Sequence, residues 1–211
     1  ANYLRENLPS GKAVYVVGSK AMCEELRKCD VECFGAGADD VLEDLIDNIS
    51  TTKIEIRENV GAVLVGFDIF INFMKILKAC TYLKNENCMF VASNTDETFP
   101  SATEYVVPGS GSIVAPIRVS TGREPLILGK PSPYLREMLR NKVKPERTLF
   151  IGDRLNTDIL MGKRCSFKTL LVLTGIHSLK DVEQCAKSEN SDDQMCVPDY
   201  YTHTISDLAL E

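Results

Sequence analysis

The sequence predicts an α/β protein built on parallel strands, and three observations carry that reading. Short continuous apolar runs rich in β-branched residues recur along the chain, stretches of helical periodicity separate them, and glycine or polar turns follow them. The first run is Ala13-Val14-Tyr15-Val16-Val17, closed by Gly18 and followed by a helical stretch from Ala21 to Lys28. Ala62-Val63-Leu64-Val65-Gly66 then leads into a helix from about Ile71 to Leu83, and Cys88-Met89-Phe90-Val91-Ala92 runs into the polar loop Ser93-Asn94-Thr95-Asp96. From Ser101 to Pro116 the chain is rich in Gly, Ser and Pro and reads as a long loop leading to a domain boundary near Ile117.

Beyond that boundary come Pro125-Leu126-Ile127-Leu128-Gly129, a helix from about Pro131 to Asn141, and Thr148-Leu149-Phe150-Ile151-Gly152. Pro131 and Pro133 suit a first helical turn, and Leu135, Met138 and Leu139 follow at core-facing spacing. A helix from about Asn156 to Arg164 precedes Thr169-Leu170-Leu171-Val172-Leu173, and the polar residues 188–193 read as a surface excursion. The expected organisation is therefore two α/β parts, 1–117 and 118–211, with the chemically interesting residues at strand C-termini, where open parallel sheets bind ligands.

At 211 residues the chain is long enough for one large or two small domains with a buried core. Its 24 basic and 30 acidic residues give a net charge of −6, which argues against a sequence-independent grip on nucleic acid or anionic lipid. No apolar run approaches a bilayer span, so neither a nucleic acid nor a membrane is an expected partner. The eight cysteines include no CxxC pair and no secretory signal precedes them, which fits reduced thiols in the cytoplasm. Cys23, Cys29 and Cys33 miss the usual zinc-knuckle spacing, and Cys165 reads as core. His177 and His203 are too scattered to suggest base or metal work.

Two local patterns carry chemistry. Lys130, in Gly129-Lys130-Pro131-Ser132-Pro133-Tyr134, follows a strand and precedes a helix, so its cation and the helix N–H groups suit a phosphoryl group; a solvated strand-end lysine is the plain alternative. Gly152-Asp153-Arg154-Leu155-Asn156-Thr157-Asp158 again joins strand to helix, with two carboxylates five residues apart. Those acids suit a hard cation, or else a helix N-cap and a first-turn acid. Placed on successive strand ends of one sheet, the lysine and the aspartates converge on one crevice. A receiver domain is set aside because its acids precede its lysine, and Gly35-Ala36-Gly37 lacks the strand and spacing of a dinucleotide site.

With Lys130 and the Gly152-Asp153 to Asp158 run in place, the sequence resembles the haloacid dehalogenase superfamily of phosphatases, whose third and fourth motifs are a strand-end lysine and GDxxxxD. The phosphoglycolate phosphatase and 4-nitrophenylphosphatase branch is similar through LGKPSPY, TLFIGDRLNTDILMG, LVLTGI and VPDYYTHTISDL, and upstream through YLRENL, YVVGS, VLVGFD and SNTDETFP. The resemblance implies a partial doubly wound parallel-sheet core with an α/β cap: cap over 1–117, C-terminal half of the core over 118–211. It also implies a Mg²⁺-dependent phosphomonoesterase acting on a small phosphorylated metabolite through an aspartyl-phosphate, with a homodimer made through the cap.

In that family the nucleophilic aspartate and the acid-base aspartate share a DxDGT-like motif on the first core strand, and a Ser or Thr at a strand end before the cap begins holds the phosphoryl oxygens. The chain contains neither motif, and its Asp39-Asp40 and Asp192-Asp193 pairs follow no apolar strand. It therefore reads as truncated, with the nucleophile outside it and turnover not expected from this stretch alone; a non-catalytic binding or dimerisation fragment is the alternative. Carried over by position, the resemblance gives Lys130 the neutralising role, Asp153 a Mg²⁺ ligand role, and Asp158 a metal-bound water or the bracing of Lys130. Asn94, Asp96, Phe99 and Pro100 occupy the cap loop that selects substrate in the branch; a turn capped by Asn and Asp beside a packed Phe is the alternative there.

Overall fold

A computed structural model describes residues 1–40, 54–99, 104–140 and 142–208, and the chain divides into two units, Ala1–Ile127 and Leu128–Glu211. The first unit contains α1 (Asn2–Asn7), β1 (Ala13–Val17), α2 (Lys20–Arg27), β2 (Cys33–Phe34), β3 (Val60–Val65), α3 (Phe73–Leu83), β4 (Met89–Ala92), β5 (Thr98–Phe99), β6 (Val107–Pro108), α4 (Ser110–Thr121) and β7 (Leu126–Ile127). Five of these strands form a parallel sheet in the order β2-β1-β3-β4-β7, while β5 and β6 make a short antiparallel pair. Every residue of β1 and β3 is buried, as continuous apolar runs require of a central parallel strand. Tyr15, Val17, Val63, Val65, Phe90 and Ala92 from the sheet meet Ala79, Tyr82 and Leu83 of α3 and Ile113, Val114 and Ile117 of α4 in one core.

Two features lock the ends of these elements. Asn72 caps α3 by accepting the Lys75 N–H at 3.0 Å. At its other end Arg123 donates to the carbonyls of Leu83, Asn85 and Cys88 at 2.8, 3.2 and 2.7 Å, tying the helix terminus to the start of β4. Beyond β3, the Lys75 ammonium and the Asp68 carboxylate form an ion pair in which both side chains are fully buried, and Asp68 Oδ1 also accepts the Phe70 N–H at 2.9 Å.

The loop expected over 101–116 is in part a helix. α4 begins at Ser110 despite its glycine, serine and internal Pro116, because Ile113, Val114 and Ile117 bury against the sheet and tertiary burial outweighs a weak local preference. Pro116 removes one intrahelical donor, a local cost that this burial offsets. The boundary expected near Ile117 falls inside this helix, whereas the compact units meet between Ile127 and Leu128.

The second unit holds α5 (Pro133–Arg140), β8 (Leu149–Gly152), a π-helical turn at Leu155–Ile159, α6 (Leu160–Arg164), β9 (Lys168–Val172), α7 (Leu179–Lys187), α8 (Ser191–Met195) and β10 (Tyr200–Thr202). Its parallel sheet runs β10-β9-β8. Leu155, Ile159, Leu160, Leu171 and Cys196 form one apolar cluster, and Met161, Cys165 and Phe167 form another with Leu135, Leu139 and Phe150 against it. The expectation that strand 125–128 shares a sheet with strand 148–152 is corrected: β7 pairs with β4, with Val91 opposite Leu126, so Lys130 and the two aspartates do not follow strands of one sheet. The two-residue length of β7 gave the sequence no means of choosing its partner.

The cysteines are free thiols. Burial is the main cause that pushes Cys33 and Cys196 up to about 11, away from thiolate chemistry at neutral pH. Among the described residues no helix is long and apolar enough to cross a membrane.

Two stability outcomes follow. Lys75→Met strands a buried carboxylate and should lower unfolding free energy by about 3 to 5 kcal/mol in urea titration, with Asp68→Asn added to it recovering part of the loss. Asp199 Oδ2 accepts the Thr169 N–H and hydroxyl at 2.9 and 2.8 Å, and the carboxylate pairs with Lys163 at 2.9 Å and Lys168 at 3.3 Å. Burial pulls this carboxyl upward, but the lysines and Thr169 outweigh it and hold it well below the usual carboxylate range. A depressed folded value means stability that is present in full above the unfolded value near 4 and lost as pH falls toward the folded one. Asp199→Asn should therefore be less stable than wild type at pH 7, and the gap should narrow in denaturation curves taken below pH 4.

Candidate active site

Lys130 lies in a tight turn before α5. The Ser132 N–H donates to the Gly129 carbonyl at 2.9 Å, and the Ser132 hydroxyl donates to the Leu128 carbonyl at 3.0 Å while accepting the Leu135 N–H at 3.2 Å. Ser132 thus acts as the side-chain cap of α5 and fixes the backbone from which Lys130 projects. Lys130 Nζ donates to Asp158 Oδ1 at 2.6 Å; its side chain is 47% exposed and that of Asp158 only 5%. One end of the pair faces solvent and the other is interior.

Asp158 Oδ2 accepts the backbone N–H groups of Asp153 at 3.2 Å and Arg154 at 3.1 Å. It therefore holds the loop that precedes its own helix, accepting from the first turn the backbone N–H of the N-cap residue Arg154. The close approach demands glycine at 152: a Cβ there would lie 2.3 Å from the Asp158 Cβ and 2.5 Å from its Oδ2. The π-helical turn beginning at Leu155 follows, with the N–H groups of Asp158 and Ile159 both donating to the Arg154 carbonyl at 3.0 Å.

Asp153 is gripped from the far side by the turn after β9. Its Oδ2 accepts the Ile176 N–H at 3.1 Å and its carbonyl accepts the His177 N–H at 3.2 Å. A Cβ at Gly175 would sit 2.2 Å from the Asp153 Cβ and Oδ2, so this turn too needs glycine. The His177 imidazole completes the contact, its Nδ1 accepting the Leu155 N–H at 3.2 Å. Sequence reasoning gave His177 no role; the signal was its position two residues beyond Gly175 at a strand end.

The donor set suits a hard cation in kind and supplies little of its shell. Both Asp158 oxygens are engaged by N–H donors, whereas Asp153 Oδ1 accepts no hydrogen bond among the described residues. One carboxylate oxygen with water fits Mg²⁺, which keeps several waters, and no cluster of three acidic, His or Cys side chains gathers among the described residues to hold a metal more fully.

The other expected residues lie in the first unit. Asn94 Oδ1 accepts the Asp96 N–H at 3.2 Å in a side-chain turn, and the Asp96 carbonyl accepts the Gly111 N–H at 2.9 Å at the start of α4. Phe99 packs on Phe67 with ring centroids 5.6 Å apart and stays exposed, while Pro100 lies outside the described residues. A cavity of about 450 Å³ beside this loop is lined by Thr95, Glu97, Ser112, Arg118 and Glu124 among others, and not by Asn94, Asp96 or Phe99.

Residues 3–166 match the haloacid dehalogenase-like hydrolase family, and residues 127–208 match the HAD-hydrolase-like family. The chain belongs to the haloacid dehalogenase-like hydrolases. It is similar to glycerol-3-phosphate phosphatase of Rattus norvegicus, with 38% identity over 99% of this chain and 65% of that protein. The chain thus spans about two thirds of that relative's length. A hypothetical protein of Pyrococcus horikoshii OT3 has a similar solved structure, with TM-score 0.73 and 30% identity over 98% of this chain and 70% of that one. So does a glycerol phosphate phosphatase of Mycobacterium tuberculosis in complex with magnesium, with TM-score 0.73 and 25% identity over 96% of this chain and 54% of that one.

Within this hydrolase fold, Gly152→Ala is the cleanest probe of the loop. A methyl group in the space held by Asp158 should cost about 1 to 3 kcal/mol. Chemical denaturation measures that cost, and the amide resonances of Asp153 and Arg154 should shift as their bonds to Asp158 lengthen.

Proposed function

We propose that the protein is a Mg²⁺-dependent phosphatase that hydrolyses phosphomonoesters of small metabolites, of the phosphoglycolate or 4-nitrophenyl phosphate type, through an aspartyl-phosphate on a nucleophile outside this chain. The observation that carries the reading is the Lys130–Asp158 pair at 2.6 Å, set against the loop that presents Asp153. The chain's membership of the hydrolase family and its similarity to glycerol phosphate phosphatases support it.

Phosphoryl transfer between anionic groups is governed mainly by positioning and charge stabilisation. Lys130 sits between the attacking carboxylate and the phosphoryl oxygens and lowers their repulsion. Asp158 holds the ammonium in one direction and, through the N–H groups of Asp153 and Arg154, fixes the loop behind it. Asp153 Oδ1 is the metal ligand; when bound, Mg²⁺ supplies charge neutralisation at the phosphoryl oxygens. Asn94, Asp96, Phe99 and Pro100 form the substrate-selecting loop of a cap formed by the first unit. The exposed Ile69, Phe70, Phe73 and Phe99 favour homodimerisation through that unit, and the compartment is the cytoplasm.

Lys130→Met tests the reading, because it keeps the stem and deletes the charge. In the protein extended upstream to include the nucleophile, kcat for 4-nitrophenyl phosphate should fall about a hundredfold or more, and the thermal midpoint should also fall because Asp158 loses one of its three donors. Near-wild-type turnover would remove Lys130 from the site. The 211-residue chain alone should show no turnover above a contaminant control, and turnover there would overturn the placement of the nucleophile.

A further inference from the structure

We propose that His177 is a positioning residue for the metal-binding loop, acting through its imidazole as a hydrogen-bond acceptor for the first turn of the helix that follows Asp153. The inference rests on the reading of Asp153 as the Mg²⁺ ligand and adds a residue to which that reading assigns nothing.

The leading N–H groups of a helix have no intrahelical acceptor and need one from elsewhere. The turn at Leu155–Ile159 has Arg154 as its N-cap position, and Arg154 supplies no side-chain cap bond. The Leu155 N–H is instead satisfied by His177 Nδ1 at 3.2 Å, across 22 residues of sequence. Leu155 is itself buried, so without an acceptor its N–H would be left unpaired in the interior. The same histidine donates its backbone N–H to the Asp153 carbonyl at 3.2 Å, and its neighbour Ile176 donates to Asp153 Oδ2 at 3.1 Å. Three bonds from residues 176–177 therefore span Asp153 to Leu155. Only one of them depends on a side chain of residues 176–177, the His177 imidazole.

This geometry decides what the imidazole does. Nδ1 acts as an acceptor, so the ring proton resides on Nε2. The bond orients the backbone on the C-terminal side of Asp153, while the Ile176 N–H occupies Oδ2 and leaves Oδ1 as the oxygen for the cation. Removing the imidazole frees the Leu155 N–H and lets the loop between Asp158's grip and the Gly175 turn rotate. The loss should appear in cation affinity, since groups that orient a metal ligand commonly govern affinity about tenfold when removed. Asparagine places an amide oxygen near the position of Nδ1 and should restore the bond.

The test measures Mn²⁺, as a paramagnetic probe for Mg²⁺, by broadening of amide resonances from 152–158 in the 211-residue chain, in wild type, His177→Ala, His177→Asn and Asp153→Asn. A long-range ¹⁵N–¹H spectrum of the imidazole reads the tautomer of His177 in wild type. The expected result is weak Mn²⁺ binding in wild type, about tenfold weaker in His177→Ala, within about twofold of wild type in His177→Asn, with an Nε2–H tautomer. Binding lost in Asp153→Asn but unchanged in His177→Ala would overturn the role of His177 and leave the metal reading standing. Binding unchanged in Asp153→Asn would remove the cation from this loop and the inference with it. Equal losses in the alanine and asparagine variants, or an Nδ1–H tautomer, would also overturn it, because the acceptor would then not be the operative group.

Discussion

The Asp158 carboxylate is the constraint on which the rest of the second unit's site depends. A carboxylate that is 5% exposed loses most of its hydration, and donors must replace the water. Three do: the Lys130 ammonium on Oδ1, and the N–H groups of Asp153 and Arg154 on Oδ2. Each donor comes at a geometric cost to the surrounding chain. Residue 152 must be glycine to admit the carboxylate, and the backbone at 153–154 must turn its N–H groups inward. An inward-facing backbone at Asp153 is then free to direct its own side chain away from Asp158, toward the turn at 175–177. Two acids five residues apart therefore end in different environments, one saturated by donors and the other with an oxygen to spare.

The first unit uses the same device. Beyond β3 the Asp68–Lys75 pair is buried, and Lys78 bonds both oxygens of Asp39 at 2.8 Å. Asp68 also caps the local turn through the Phe70 N–H, so a carboxylate again serves a cation and a backbone donor together. A buried ion pair adds little net stability relative to apolar packing, but it penalises any arrangement that separates the partners. Both pairs connect the segment beyond a strand to α3, fixing where loops leave the sheet. An acid–lysine pair at a strand end is therefore weak evidence for catalysis in this protein. What distinguishes Lys130 is that its pair is half open to solvent, whereas Lys75 is sealed.

The legible parts of the fold were those where local pattern and burial agree. β1, β3, β4, β8 and β9 are continuous apolar runs whose only economical use is a parallel sheet, and all lie within a residue or two of where the sequence puts them. α4 was not legible, because its glycine, serine and Pro116 speak for a loop and the apolar contacts that override them come from strands distant in sequence. The partner of β7 was hidden for a related reason: two residues carry no register information. Spacing singled out Lys130, Asp153 and Asp158 as candidates but not which carboxylate would be consumed by its neighbours. That distinction depends on the backbone conformation at 152–154. His177 was passed over because its acceptor role depends on the turn after β9, which only its position two residues beyond Gly175 hints at.

The exposed half of Lys130 is as informative as its bond to Asp158. An ammonium has three N–H donors, and Asp158 engages one of them at 2.6 Å, leaving the others directed to the open side. The carboxylate therefore aims the charge without exhausting it. A guanidinium would serve less well here. Its planar fork would take both oxygens of a carboxylate, competing with the N–H groups of Asp153 and Arg154 for Oδ2 and loosening the loop that presents Asp153. A compact cation at 130 is thus required by the way Asp158 divides its two oxygens between a side chain and the backbone, and the identity of the lysine and the shape of the loop are one constraint.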